Sequence, residues 1–376
     1  MKKFLLILGL LVIIAIPIVI YFVYDFDSVA IIPSDNLDTN EPEKTDKITK
    51  MLDSMSVEEK VGQMFMVRVP KENADKRVSE YHLGGYIMFG RDFDNKTKEE
   101  VINNIASWQE ASDIPMLIGV DEEGGTVNRI STNTEFRSEP FKSSQELYAE
   151  GGFDLIYEDT ITKANFLKEL GINVNFAPVV DVSTNPDDYI YKRSFGKNAN
   201  LTSEYAEVVV RAMKESNIAS VLKHFPGYGN NTDTHTGIAI DNRTLETFKE
   251  SDFLPFEAGI KAGANIVLVS HNIVTNIDPD NPASLSTRVH EILRNDLGFA
   301  GVIITDDLYM DAISKNYDSS VAVLAILAGN DLICTTDFES QIPEVIAAVE
   351  DGTISIDRIN ESVRRILELK LELNLI

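Results

Sequence analysis

The chain has 376 residues, a formal net charge of −26 at pH 7 and one cysteine, Cys334. A charge of that sign repels a phosphate backbone, which excludes nucleic acid as an expected partner. A lone cysteine excludes an intramolecular disulfide.

In chain order, Lys2 and Lys3 precede an uncharged apolar run from Phe4 to Tyr24. At 1.5 Å per residue the run spans about 30 Å, the thickness of a bilayer's hydrocarbon core. No small-x-small cleavage pattern precedes Asp25, and no cysteine is placed for a lipid anchor. Residues 1–24 are therefore expected to be an N-terminal transmembrane anchor, with the body on the extracytoplasmic face. A cleaved signal sequence, and hence secretion, is the alternative. Residues 25–47 are acidic, carry Pro33 and Pro42 and lack periodicity, which predicts a flexible linker. Residues 48–376 are expected to be one domain.

Eight short apolar runs follow, at 61–69, 84–90, 115–121, 172–182, 220–225, 264–272, 301–307 and 331–336. Between them lie helical patterns such as SEYAEVVVRAMKES and EVIAAVEDG. Runs apolar on both faces, separated by helices, predict a parallel sheet covered by helices. Eight units predict an α/β fold of the (β/α)8 barrel type. An open doubly wound sheet is the alternative, because periodicity does not report closure.

Most runs end in polar residues. The third ends at Asp121, followed by Glu122 and Glu123. The fourth leads to Asp181 and on to Arg193, the fifth carries Lys223 and His224, the sixth ends at His271, and the seventh at Asp306 and Asp307. Each residue alone has a plain structural reading. Asp307 suits a helix cap or an orienter, Arg193 a loop ion pair, the two glutamates a solvated turn, and Lys223 with His224 a satisfied core pair. In a barrel, all these strand ends emerge around one mouth. No helical His pair, no GxSxG elbow and no phosphate-binding glycine pattern is present. Carboxylates, histidines and cations around one mouth suit a sugar ring, and acetal cleavage needs an ionised carboxylate facing a proton donor. A metal-dependent hydrolase using His224, His271 and Asp306 is a competing possibility.

The segments GVDEEGGTVNRI (119–130), FAPVVDV (176–182), KRSFG (192–196), KHFPGYGNNTDTHTG (223–237) and GVIITDDLYMDAI (301–313) resemble glycoside hydrolase family 3. The D-x-H pair Asp233–His235, and the absence of residues for a second domain after the eighth unit, resemble its single-domain β-N-acetylglucosaminidase (β-hexosaminidase) branch. The resemblance implies a retaining exo-β-glycosidase acting on terminal N-acetylglucosamine of cell-wall (peptidoglycan) fragments, with no metal or cofactor. It implies Asp306 as nucleophile, His235 as general acid/base and Asp233 as its orienter. Asp121, Arg129, Arg193, Lys223 and His224 are implied to hold the sugar hydroxyls. A β-glucosidase or β-xylosidase of the same family is the alternative, and a catalytically inactive sugar-binding protein the alternative from another class. Tyr228, Gly229 and Asn230 stand where many relatives carry a different triplet, and the stretch before Asp-x-His is about one residue shorter.

Overall fold

The computed structural model describes residues 41–229, 239–310, 313 and 320–376. The chain divides between Lys47 and Ile48. In the first part, the apolar run 4–24 and most of the expected linker lie outside the described residues. The linker expectation is shortened at its end, because helix α1 runs Glu41–Ser54. Proline is tolerated in a first helical turn, and the Glu and Lys residues that follow favour helix over coil.

In the second part, eight strands form one parallel sheet. They are β1 Phe65–Arg68, β2 Gly85–Met88, β3 Leu117–Val120, β4 Val174–Asn175, β5 Ala219–Phe225, β6 Ile266–Val269, β7 Val302–Thr305 and β8 Ile333–Thr335. Seven fall inside one of the eight apolar runs, and β5 begins one residue before its run, at Ala219. Their order is β7-β6-β5-β4-β3-β2-β1-β8, so neighbours in sequence are neighbours in the sheet. A parallel bridge between Ile304 and Leu332 brings β7 against β8 and nearly closes the ring. This is the (β/α)8 barrel, and the open-sheet alternative is set aside by that bridge.

β4 is short for a physical reason. Pro178 has no N–H to give to the ladder, and pairing resumes only at a bridge between Val179 and Lys223. The helices begin where capping signals stand. Ser56 with Glu59 opens α2 (Val57–Gln63), Thr97 with Glu100 opens α3 (Lys98–Glu110), and Ser143 with Glu146 opens α4 (Ser144–Glu169), each a reciprocal capping box. Inside the barrel, a Cβ at Gly119 would stand 2.5 Å from Met66 and 2.7 Å from Phe176. Only glycine leaves those two large side chains their room.

Lys370 lies on the last helix, α5 (Ile356–Glu372), fully buried, and donates to Gln63 Oε1 at 2.6 Å. Burial pushes its pKa down to about 7. The unfolded chain therefore holds the proton more tightly than the folded one. The group lowers stability most at and below pH 7, and less as pH rises toward 10.5. Lys370→Met is expected to raise the unfolding free energy at pH 6 by about 2–4 kcal/mol, allowing for the Gln63 oxygen left unpaired. The gain should shrink toward pH 10. Urea unfolding at both pH values checks this, and a gain independent of pH would contradict it.

Candidate active site

A cavity of about 480 Å³ opens at the C-terminal ends of the strands. Asp121, Arg129, Arg193, Lys223, His224 and Asp306 all line it. Residues that are up to 185 positions apart in the chain thus meet, as the barrel predicts. Arg68, the last residue of β1, and Phe89, just past β2, line it too. Arg68 stands 4.4 Å and Arg129 5.6 Å from the centre of the Phe89 ring, so one aromatic ring carries two guanidinium groups.

Lys223 and His224 are adjacent, so in a regular strand they would point to opposite faces. The β5–β6 ladder pairs Leu222 with Val267 but Phe225 with Val269, so three steps on one strand match two on the other. This bulge is what lets both side chains reach the cavity.

The cations are organised by Glu123. Lys223 Nζ lies 2.7 Å from both Asp121 Oδ1 and Glu123 Oε1. Arg193 grips Glu123 with two bonds, Nη2 to Oε1 at 2.7 Å and Nε to Oε2 at 3.1 Å. Two cations and two carboxylates thus balance in a largely buried cluster. Burial alone would raise the Glu123 pKa, but Lys223 and Arg193 outweigh it and hold the carboxyl at about 2. Burial alone would also lower the Arg193 pKa, and the Glu123 charge outweighs it, so the guanidinium stays charged throughout. Lys223 has three ammonium protons and, among the described residues, two carboxylate partners, which leaves one proton for a ligand oxygen.

Two expectations about the glutamates are corrected. Alone in sequence they suit a solvated turn, yet Glu122 is fully buried and Glu123 nearly so. The reason is the hairpin of Glu122–Gly124 with Val127–Asn128, which folds back over the barrel end. Gly124 sits at φ 103°, where an added Cβ would come 2.2 Å from Lys142 O. Glu122 then accepts the backbone N–H groups of Arg129 at 2.8 Å, Ile130 at 2.9 Å and Ser131 at 3.1 Å, which fixes the segment bearing Arg129. Arg129 itself is 3.6 Å from Asp121 Oδ2.

His224 Nδ1 lies 2.7 Å from Asp181 Oδ2, and its Nε2 lies 3.4 Å from Arg193 Nη2. A carboxylate can only accept and a guanidinium can only donate. Nδ1 therefore carries the hydrogen that Asp181 accepts, and Nε2 faces the Arg193 guanidinium. Asp181 also accepts the backbone N–H of His224 at 3.2 Å and of Tyr228 at 2.7 Å. It is a positioning residue that the sequence marked only as a strand end.

Asp306 follows β7, donates its N–H to Val269 O at 3.0 Å and accepts the Asp307 N–H on Oδ1 at 2.9 Å. Asp307 caps the next turn through Tyr309 N at 2.9 Å and takes a bond from Thr336 at 3.2 Å. Burial, and next the Asp306 charge, raise the Asp307 pKa against the opposing pull of the Tyr309 N–H. Cys334 also lines the cavity, but burial, with the nearby Asp307, Asp306 and Asp121 charges, raises its thiol pKa well above the ordinary value. It is no thiolate nucleophile. Asp233 and His235 lie outside the described residues.

His271 is fully buried and its side chain is turned away from a ligand role. Nε2 lies 3.1 Å from the Asp307 carbonyl and Nδ1 2.8 Å from Ser284 Oγ. The carbonyl fixes Nε2 as donor, so the ring braces the turn behind Asp306. With both its nitrogens and the Nδ1 of His224 committed, and a guanidinium facing the other His224 nitrogen, His224, His271 and Asp306 make a poor metal set. Among the described residues one group has ligand spacing, Glu59, His82 and Asp113. It precedes β1, β2 and β3, at the opposite rim of the barrel.

Comparison with known proteins is consistent with this geometry. Residues 56–369 match the glycosyl hydrolase family 3 N terminal domain. A β-hexosaminidase of Xylella fastidiosa (strain 9a5c) is 32% identical over 282 residues, 73% of this chain and 83% of the relative. A β-hexosaminidase of Mycobacterium tuberculosis (strain ATCC 25618 / H37Rv) is 30% identical over 330 residues, 84% of this chain and 83% of the relative. The structure of a family 3 β-N-acetylglucosaminidase from Paenibacillus sp. str. FPU-7 superposes with a TM-score of 0.80 at 33% identity. That match covers 86% of this chain and 63% of the Paenibacillus chain, so the chain spans somewhat under two thirds of it. With the family model spanning almost the whole barrel and the strand-end residues gathered at one mouth, the chain belongs to glycosyl hydrolase family 3 and is a glycoside hydrolase.

Proposed function

We propose that the chain is a retaining exo-β-N-acetylglucosaminidase acting on terminal β-linked N-acetylglucosamine of cell-wall fragments. One observation carries the reading: Asp306 shares a cavity with Asp121, Arg193 and Lys223, each delivered by a different strand or loop. The names of the relatives support the sugar.

The chemistry follows from the groups. Lys223, with one uncommitted proton, and Asp121 and Arg129 beside it, hold ring hydroxyls. Asp306 attacks the anomeric carbon as the glycosidic C–O bond breaks. His235 gives its proton to the departing oxygen, with Asp233 stabilising the imidazolium. Water, deprotonated by His235, then displaces Asp306, and two inversions retain the configuration. An ordinary Asp carboxyl is ionised at neutral pH and an imidazole titrates near it, so both roles suit one pH range.

Aryl glycosides with and without a 2-acetamido group test the substrate. The N-acetylglucosaminide is expected to have the highest kcat/KM. Faster β-glucoside or β-xyloside cleavage would refute the sugar assignment, and binding without turnover of any of the three would refute the enzyme.

Among the described residues no helix is long and apolar enough to cross a membrane. The uncharged run Phe4–Tyr24 still supports an anchor that holds the domain at the extracytoplasmic face. The full chain is expected in alkali-resistant membranes, whereas recovery in the soluble fraction with residues 1–24 intact would refute anchoring.

A further inference from the structure

Arg68 takes no part in the proposed mechanism, yet it lines the same cavity. Met66 packs inside the barrel beside Gly119. Side chains alternate along a strand, so Arg68, two residues on, turns inward at the mouth. It pairs with Ile87 of β2, and Phe89 stands two residues past Ile87. The guanidinium carbon of Arg68 lies 4.4 Å from the centre of the Phe89 ring, and that of Arg129 5.6 Å. One ring thus steadies two planar cations.

The charges and donors of this wall are left over. Glu123 and Asp121 balance Arg193 and Lys223. Arg129 stands 3.6 Å from Asp121 Oδ2, while Asp121 Oδ1 is taken by Lys223. Among the described residues no acid forms an ion pair or hydrogen bond with Arg68, whose contact is the Phe89 ring. The buried Asp92 is committed elsewhere, accepting the Phe89 N–H at 2.8 Å and lying 3.5 Å from Arg91 Nε. Asp306 and Asp307 follow β7, two strands from β1 round the ring. Nε of Arg68 and Nε of Arg129 are both buried, and neither has a hydrogen-bond partner among the described residues. A buried N–H without a partner is costly, and native structures keep few of them. Two at one cavity wall call for a ligand that brings acceptors.

The kind of acceptor follows from what surrounds Arg68. A hydroxyl both donates and accepts, and near Lys223 carboxylates stand ready for its hydrogen. Beside Arg68, the side chains of Ile87 and Phe89 offer no acceptor. An oxyanion only accepts, and a planar guanidinium engages two of its oxygens together.

We propose that Arg68, with Arg129 beside the same Phe89 ring, forms an oxyanion subsite, so that the enzyme selects substrates carrying a carboxylate, sulfate or phosphate group. The inference rests on reading the cavity as an N-acetylglucosaminidase site. The anion belongs to the terminal sugar or to the aglycone, and the test separates the two.

Two matched pairs of β-N-acetylglucosaminides serve. The first is the 4-nitrophenyl glycoside with and without a sulfate ester on the sugar's primary hydroxyl. The second bears a 4-(2-carboxyethyl)phenyl aglycone or its neutral amide, whose phenols leave equally well. We would measure kcat and KM for the wild type, Arg68→Gln and Arg68→Lys. In at least one pair the wild type is expected to favour the acidic member in kcat/KM by about tenfold or more, the worth of a charge-assisted hydrogen bond. Arg68→Gln is expected to bring that ratio within about threefold of one, through KM rather than kcat, with Arg68→Lys, which keeps the charge but not the fork, in between. The pair that shows the preference identifies the end of the substrate that bears the anion. No acidic preference in either pair, or a preference that Arg68→Gln retains, would overturn the inference and leave the proposed function standing. If the wild type cleaves none of the four compounds, the proposed function falls. Calorimetric Kd values for the same compounds then decide the role of Arg68 alone, by the same ratios.

Discussion

Asp306→Asn is expected to lower kcat by at least about a thousandfold, about 4 kcal/mol of barrier, while the chain still folds and still binds the sugar. Asparagine keeps the size of aspartate and an oxygen for the Asp307 N–H at Oδ1. It cannot form the covalent ester. The neighbouring carboxylates are committed elsewhere: Asp121 to Lys223, Glu123 to Lys223 and Arg193, and Asp307 to Tyr309 N and Thr336. None is poised to substitute. Steady-state kinetics on an aryl N-acetylglucosaminide, with inhibition by free N-acetylglucosamine, checks both halves. A loss of less than tenfold would remove Asp306 from the nucleophile's role.

The second large effect concerns Glu123. Glu123→Gln leaves Arg193 without its charged partner and Lys223 with one of two, all in a largely buried cluster. Breaking such a pair costs about 3–5 kcal/mol, so thermal unfolding at pH 7 is expected to fall by roughly 5–10 °C. The pH dependence has a definite sign. The Glu123 pKa is depressed from 4.5 to about 2 in the folded chain. Its stabilisation is therefore complete above 4.5 and is lost as pH falls through that window. The gap between the two values is worth about 3 kcal/mol. Wild type and variant should thus converge in stability between pH 4.5 and 2. A difference that holds constant across that range would show that Glu123 acts by packing rather than by charge.

The barrel was legible in the sequence because its strands are apolar on both faces, a pattern that survives without knowing any neighbour. Closure was not legible, since the Ile304–Leu332 bridge is a contact between separate runs. The strand-end residues were legible by position, and the structure gathers Asp121, Arg129, Arg193, Lys223, His224 and Asp306 at one cavity. Side-chain direction was the hidden quantity. His271 stands at a strand end like His224, yet it bonds the Asp307 carbonyl rather than facing the cavity. Glu123 follows Glu122 in a glycine turn that reads as solvated, and only the folded-back hairpin buries it against Lys223 and Arg193. The bulge at Lys223–His224 is likewise a property of two strands together.

Trapping the covalent intermediate tests the central claim most directly. The protein would be incubated with 5-fluoro-N-acetylglucosaminyl fluoride, digested and mapped by mass spectrometry. One sugar per chain is expected, on Asp306 in the peptide holding Thr305 and Asp307, with no label on Asp306→Asn. A label on Asp121, Glu123 or Asp307 instead, or full turnover of ordinary substrate by a protein that never takes the label, would contradict the account.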